Sequence, residues 1–214
     1  MPSYPLFPIP VVLFPGAMMP LYIFEPRYRA MLADAAEGDH RFVLLPPGAA
    51  AETPEAGTIG TVAQIRAIQP VGDGRSNIVI SGDRRITLSR LVPSAKPYLI
   101  GEVEDLADDS EVQIPSPADV ATLRARGERY ARALSTIADA EGDPEFTDEA
   151  AVLSFQVAGL VEWDVAAQRQ FLAIRSVRER VTRLINLLPA LIADAEARAA
   201  VHRRAPTNGK GVRH

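Results

Sequence analysis

The sequence predicts an α+β protein: an antiparallel, barrel-like sheet interrupted by one early helix and followed by a helical bundle. Three observations carry that prediction. No charge occurs from Met1 to Phe24, yet Pro5, Pro8, Pro10, Pro15 and Pro20 break the apolar run. Residues 58–106 hold alternating, β-branched segments divided by turn residues, and after Ser116 the apolar residues recur at steps of three and four.

Each leader proline removes an amide donor and clashes with a preceding helical turn, so residues 1–24 cannot form one helix. Extended edge segments tolerate proline, and Phe14-Pro15-Gly16 reads as a turn between two of them. A secretory signal needs a basic start and an unbroken apolar helix, and a membrane span needs about twenty helical residues. The leader fits neither, which predicts a water-soluble, cytoplasmic protein.

Glu25-Pro26 marks a helix start, with proline at the first helical position and an acid at the positive dipole end. Tyr28, Met31 and Leu32 follow at helical spacing, and Gly38 supplies a stop. Phe42 to Leu45 reads as a short strand, and Ala49 to Gly57 as an exposed loop. Thr58 to Ile68 and Asn77 to Ile80 read as strands joined across Gly72-Asp73-Gly74. Ser81-Gly82-Asp83 predicts a further turn, before a strand around Ile86 and Leu88 and a last one from Tyr98 to Leu106. Hairpin order argues for an antiparallel sheet.

Ser116-Pro117-Ala118-Asp119 is a helix-start signature, followed by a stripe through Val120, Leu123, Gly127, Tyr130, Leu134 and Ile137. Asp148 to Val161 is apolar nearly all round, which predicts a helix buried on several sides. Asp164 caps the next helix, and Ser176 with Glu179 forms a capping box for another. In that last helix Pro189 predicts a kink or a split. The chain therefore divides near residue 110 into a β-rich unit (1–110) and a helical unit (111–200), with an unpacked tail (201–214) and an acidic linker at Ala107-Asp108-Asp109-Ser110.

Composition narrows the function classes. The 214 residues include no cysteine, which excludes disulfides, thiolate metal sites and a cysteine nucleophile. A net charge of −4 lacks the basic footprint of a nucleic-acid binder, which makes nucleic acid an unlikely partner. His40, His202 and His214 lack metal-ligand spacing, so no metal is expected.

Four segments, LFPIPVVLFPGAMMPLYIFEPRYRAML at 6–32, GTIGTVAQI at 57–65, SGDRRITLSRL at 81–91 and PYLIGEVEDL at 97–106, together resemble the amino-terminal, substrate-binding domain of the Lon ATP-dependent proteases, which also occurs free-standing in bacteria. Weaker similarity continues through Phe155 to Leu188, at Gln170, Leu172 and Arg183. The resemblance implies a PUA-like pseudo-barrel followed by a helical bundle, and a role in capturing polypeptides or assembling an oligomer. It carries over no catalytic residue. Gly209-Lys210-Gly211 lacks the spacing and hydroxyl of a phosphate-binding loop. Ser94 and Lys96 resemble a Ser–Lys pair only in composition. No cofactor is expected.

Met18, Met19, Leu21, Tyr22 and Phe24 are the candidate lining of an apolar groove for unfolded peptide, with Trp163 a candidate contact. Core filling is the commoner use of such a pattern. Glu25, Arg27, Arg84 and Arg85 are candidate polar contacts, against ordinary capping or internal pairing. The expected function is a non-enzymatic module that binds unfolded or partly folded polypeptides or a protease or chaperone partner. The alternatives are an RNA-binding PUA-like module and a small-molecule pocket between the two units.

Overall fold

The computed structural model describes residues 1–48, 53–109, 114–140, 142 and 145–204. Its first half contains β1 (Ser3–Pro8), β2 (Met18–Ile23), α1 (Pro26–Glu37), β3 (Arg41–Leu45), β4 (Ile59–Gly72), β5 (Arg75–Val92) and β6 (Ile100–Asp105). The leader is extended, as its prolines require, and Gly16 completes its turn with φ +76°. The β4–β5 hairpin turns through Asp73 and Gly74 with φ of 52° and 71°, the doubly left-handed geometry that matches strand twist.

The strands run β2-β5-β4-β3-β1-β6, and β6 also pairs with β5, closing five strands into a barrel with β2 attached outside. The 18-residue β5 makes closure possible: Ser76–Ser81 pair with β2, and Ile86–Val92 with β6. Two expectations are corrected. The pairing is antiparallel except between β1 and β3, which run parallel because α1 returns the chain to the same end of the sheet. Ser81-Gly82-Asp83 is no turn but lies inside β5. The leader crosses there, and a Cβ on Gly82 would lie 2.2 Å from the Phe14 carbonyl oxygen. Gly16 N donates to Gly82 O at 3.0 Å, and Gly82 N to Ala17 O at 2.9 Å. The glycine serves close backbone approach rather than chain reversal.

Period-two alternation sorts the strands between two cores. Leu6, Val43, Leu45, Val62, Ile86, Leu88 and Val103 come from all five barrel strands and fill its interior. Their neighbours Phe7, Phe42, Leu44 and Ala63 face the other way, onto Tyr28, Met31, Leu32 and Ala35 of α1. With both faces covered, β3 is apolar at four consecutive positions, as a two-sided strand must be.

The second half contains α2 (Pro117–Ile137), α3 (Ala150–Ala158), α4 (Val165–Ala173) and α5 (Val177–Arg204). The predicted caps form: Ser116 Oγ accepts from Asp119 N at 3.1 Å, Asp164 Oδ1 from Ala167 N at 2.7 Å, and Ser176 Oγ from Glu179 N at 3.2 Å. α5 runs through Pro189 without splitting. Proline leaves the carbonyl four residues back, that of Ile185, without its helical donor. The Arg126 guanidinium from α2 donates to that carbonyl instead. Leu184, Leu188, Ile192 and Ala195, on both sides of the proline, are buried in one core with Leu123, Leu153 and Phe171. Val12 and Phe14 of the leader reach the same core, where Phe14 stacks on Phe155 with ring centroids 5.8 Å apart. Ser110 of the predicted linker, Ala49–Glu52 of the predicted loop and residues 205–214 of the predicted tail lie outside the described residues.

Candidate functional site

Alternation along β2 splits the predicted apolar set in two. Met19, Leu21 and Ile23 turn inward onto the α1 core. Met18, Tyr22 and Phe24 turn outward and stand 66%, 46% and 56% exposed. Directly paired residues of adjacent strands share a face. Pro20 therefore lies beside Val79, which lies beside Ala67, and Tyr22 beside Asn77 and then Gln69. These two rows floor a shallow depression of about 360 Å³. Phe24 stacks against Tyr22 at its end, 5.7 Å between centroids and 27° between planes. Ile68, although exposed, lies on the opposite face, since it pairs with buried Ile78.

Two aromatic rings half exposed side by side are unusual on a surface with no partner. Aromatic side chains bury about 150–250 Å² each, so covering the exposed halves of both would remove roughly 200 Å² from water. At about 25 cal/mol/Å² that is a gross gain of about 5 kcal/mol, before the costs of association. The lining of the depression carries no charge, a surface for greasy side chains rather than ions, whereas the row beginning at Met18 leads through Ser81 and Gln64 to Arg41 and Arg66.

Trp163 does not belong to this face. It sits between α3 and α4, its Nε1 donating to Ala158 O at 2.8 Å and its ring 5.1 Å from that of Phe171. The polar candidates have internal partners. Glu25 precedes α1 without a side-chain cap bond, and its carboxylate accepts from Arg27 Nε at 3.0 Å. Arg27 also lies 4.5 Å from the Tyr28 ring centroid. Arg84 donates to Asp105 at 2.7 Å, to Asp83 at 3.0 Å and to the Tyr4 hydroxyl at 3.0 Å, and Asp105 holds its pKa above the ordinary arginine range.

Arg85 is buried where the barrel meets the helices. It donates to the carbonyls of Leu172 and Ile174 at 2.6 and 2.8 Å, and to Asp108 Oδ1 at 2.5 Å. Arg180, wholly buried, donates to Asp108 Oδ1 and Oδ2 at 2.6 and 2.9 Å and to Ser154 Oγ at 2.9 Å. Both guanidinium groups lie against the Phe155 ring, at 5.2 and 4.2 Å. Burial pushes the Arg85 pKa down to about 10, with Asp108 opposing it. This network, which no local spacing announces, ties β5 to α3 and α5 through Asp108.

Ser94 and Lys96 form no catalytic pair. The Lys96 amine donates to Asp34 Oδ2 at 2.8 Å, and that oxygen also accepts from the Tyr98 hydroxyl at 2.5 Å. The two bonds hold the Asp34 carboxyl below its usual range, Lys96 contributing most. Burial first, and Asp34 second, push the Tyr98 phenol up to about 12. Among the described residues, no three His, Cys, Asp or Glu side chains come together to hold a metal. No described helix is long and apolar enough to cross a membrane.

Comparison with known proteins places these elements. A family model, that of the ATP-dependent protease La (LON) substrate-binding domain, matches residues 3–190. The Lon protease of Xanthomonas oryzae pv. oryzae is 25% identical over 198 residues, 86% of this chain and 22% of that protease. Lon protease 1 of Hydrogenovibrio crunogenus is 26% identical over 125 residues, 56% of this chain and 15% of that protease. The chain thus spans less than a quarter of the length of either relative. In fold it is similar to the crystal structure of a Lon N-terminal domain protein from Xanthomonas campestris, with a TM-score of 0.65 and 24% identity over 88% of this chain and 100% of that one.

Proposed function

We propose that this chain, which belongs to the LON substrate-binding domain family, is a cytoplasmic module that captures exposed apolar segments of other polypeptides on the outer face of β2, without chemistry of its own. A protease or chaperone partner would receive the captured chain. The observation that supports this reading is the stacked pair of Tyr22 and Phe24, half exposed beside the depression floored by Pro20, Val79 and Ala67. An unfolded chain offers apolar side chains that a native protein hides, so such a face discriminates between the two by area alone. β2 is also the strand that barrel closure leaves at the sheet's edge, where an extended segment can lie alongside.

The test is binding of a fluorescent reporter protein, alkylated to stay unfolded, against its native form. The unfolded reporter is expected to bind at least tenfold more tightly, and the Tyr22→Ser, Phe24→Ser double variant to lose that preference. Equal binding of both forms by the unaltered protein would remove the reading.

A further inference from the structure

A second cavity, of about 240 Å³, lies between the start of β4, the leader and α4. It opens because Pro46 ends the β3 ladder: the last β3–β4 pair is Leu44 with Thr61, although β4 begins two residues earlier, at Ile59. Val12, Leu13, Leu45, Ile59 and Leu172 make its walls apolar. The Thr61 hydroxyl is occupied, donating to Leu13 O at 2.6 Å. Among the described residues that line the cavity, Arg169 of α4 carries the only charge.

Arg169 is unlike the other arginines at the junction of barrel and helices. Its Nε is buried, and among the described residues it has no hydrogen-bond partner and its side chain forms no ion pair. Arg85 and Arg180, by contrast, are bonded to carbonyls, a hydroxyl and Asp108. A buried donor without an acceptor is costly and uncommon, and it is accounted for when a ligand brings the acceptor. The planar guanidinium suits a carboxylate, which takes two of its N–H groups at once.

We infer that this cavity binds the last residue of a polypeptide chain, an aliphatic side chain entering the apolar walls and the terminal carboxylate meeting Arg169. The inference rests on the polypeptide-binding reading above and adds a second, chemically distinct contact to it. Size and chemistry select the occupant. The cavity is smaller than the roughly 300–1,000 Å³ of small-molecule sites. Aspartate and glutamate carry a carboxylate but almost no apolar body, whereas a C-terminal leucine or valine offers both on one residue.

The experiment titrates the full chain into an amino-terminally labelled decapeptide ending in leucine, as the free acid and as the carboxamide, read by fluorescence anisotropy. The free acid should bind at least tenfold more tightly than the amide, the size expected for a charge-assisted hydrogen bond. Arg169→Gln should bring the acid down to the amide's affinity, and Arg169→Lys should recover part of the difference. The Tyr22→Ser, Phe24→Ser variant should keep the preference for the acid. Equal affinity for acid and amide, or unchanged discrimination by Arg169→Gln, overturns the inference. So does saturation of the site by 4-methylpentanoate under conditions where the free-acid peptide does not bind. Loss of the unfolded reporter by the unaltered protein would instead count against the general reading, so the two failures are separable.

Discussion

Arg126 of α2 donates to the carbonyl of Ile185 in α5, the acceptor left open by Pro189 four residues further on. The side chain of one helix thus completes the backbone of the other. Truncating Arg126→Ala should cost about 1 kcal/mol, the penalty of leaving a part-buried carbonyl unsatisfied. In a Pro189→Ala background the new amide can serve Ile185 itself, so the same truncation should cost less. A double-mutant cycle by urea denaturation checks this, and strict additivity would refute it.

Asp108 is the single carboxylate between Arg85 and Arg180, its side chain 27% exposed while theirs are 3% and 0%. Asp108→Ala would leave two buried cations facing each other without a counter-charge. A loss of about 3 kcal/mol or more is expected, as for other broken buried pairs. Chemical denaturation of the variant measures it, and a loss below about 1 kcal/mol would show that the carbonyls suffice.

Trp163 and the β2 aromatics separate stability from binding. Tyr22→Ser and Phe24→Ser change exposed side chains and should move stability by no more than about 0.5 kcal/mol each while weakening capture of unfolded reporter. Trp163→Ala removes a ring packed on Phe171 and should cost several kcal/mol with capture unchanged in the folded fraction. Thermal melts and reporter titrations on the same samples distinguish the two behaviours.

Tyr98 gives a pH signature. Its phenol is raised from 10.0 to about 12 in the folded protein, so between those values only the unfolded chain ionises. Stability from this group is complete below pH 10 and is lost as pH rises toward 12. Asp34, lowered from 3.8, contributes above that value and ceases to as pH falls below it. NMR titration of the tyrosine ring carbons should show one phenol ionising near 12, absent in Tyr98→Phe and moved back toward 10 in Asp34→Asn.

Local signals in the sequence were sufficient for most elements. The leader's prolines, the Asp73-Gly74 turn and the caps at Ser116, Asp164 and Ser176 each act over a few residues, so each could be read without the fold. Gly82 could not: a glycine between serine and aspartate looks the same whether the chain reverses there or another segment crosses it. That the helix would not split at Pro189 was illegible for a related reason, since the group that rescues Ile185 lies 59 residues away. At the candidate site, alternation along β2 was legible but its sense was not. Which parity faces out is decided by α1, and only then do Met18, Tyr22 and Phe24 part from Met19 and Leu21. Asp108 lies 23 residues from Arg85 and 72 from Arg180, so that network has no signature in sequence.

Barrel closure pairs Ser3, Tyr4 and Pro5 with Glu102, Gly101 and Ile100, so roughly a hundred residues must be synthesised before the first strand finds its last neighbour. Contacts of such separation form late. Until β3 and β5 emerge to pair with its two strands, an uncharged, β-prone stretch of 24 residues waits in water, the kind of segment that seeds aggregation between nascent chains. The prolines that mark it as extended also deny it a regular ladder with a copy of itself. They act as gatekeepers during biogenesis, long before there is a surface for any partner to recognise.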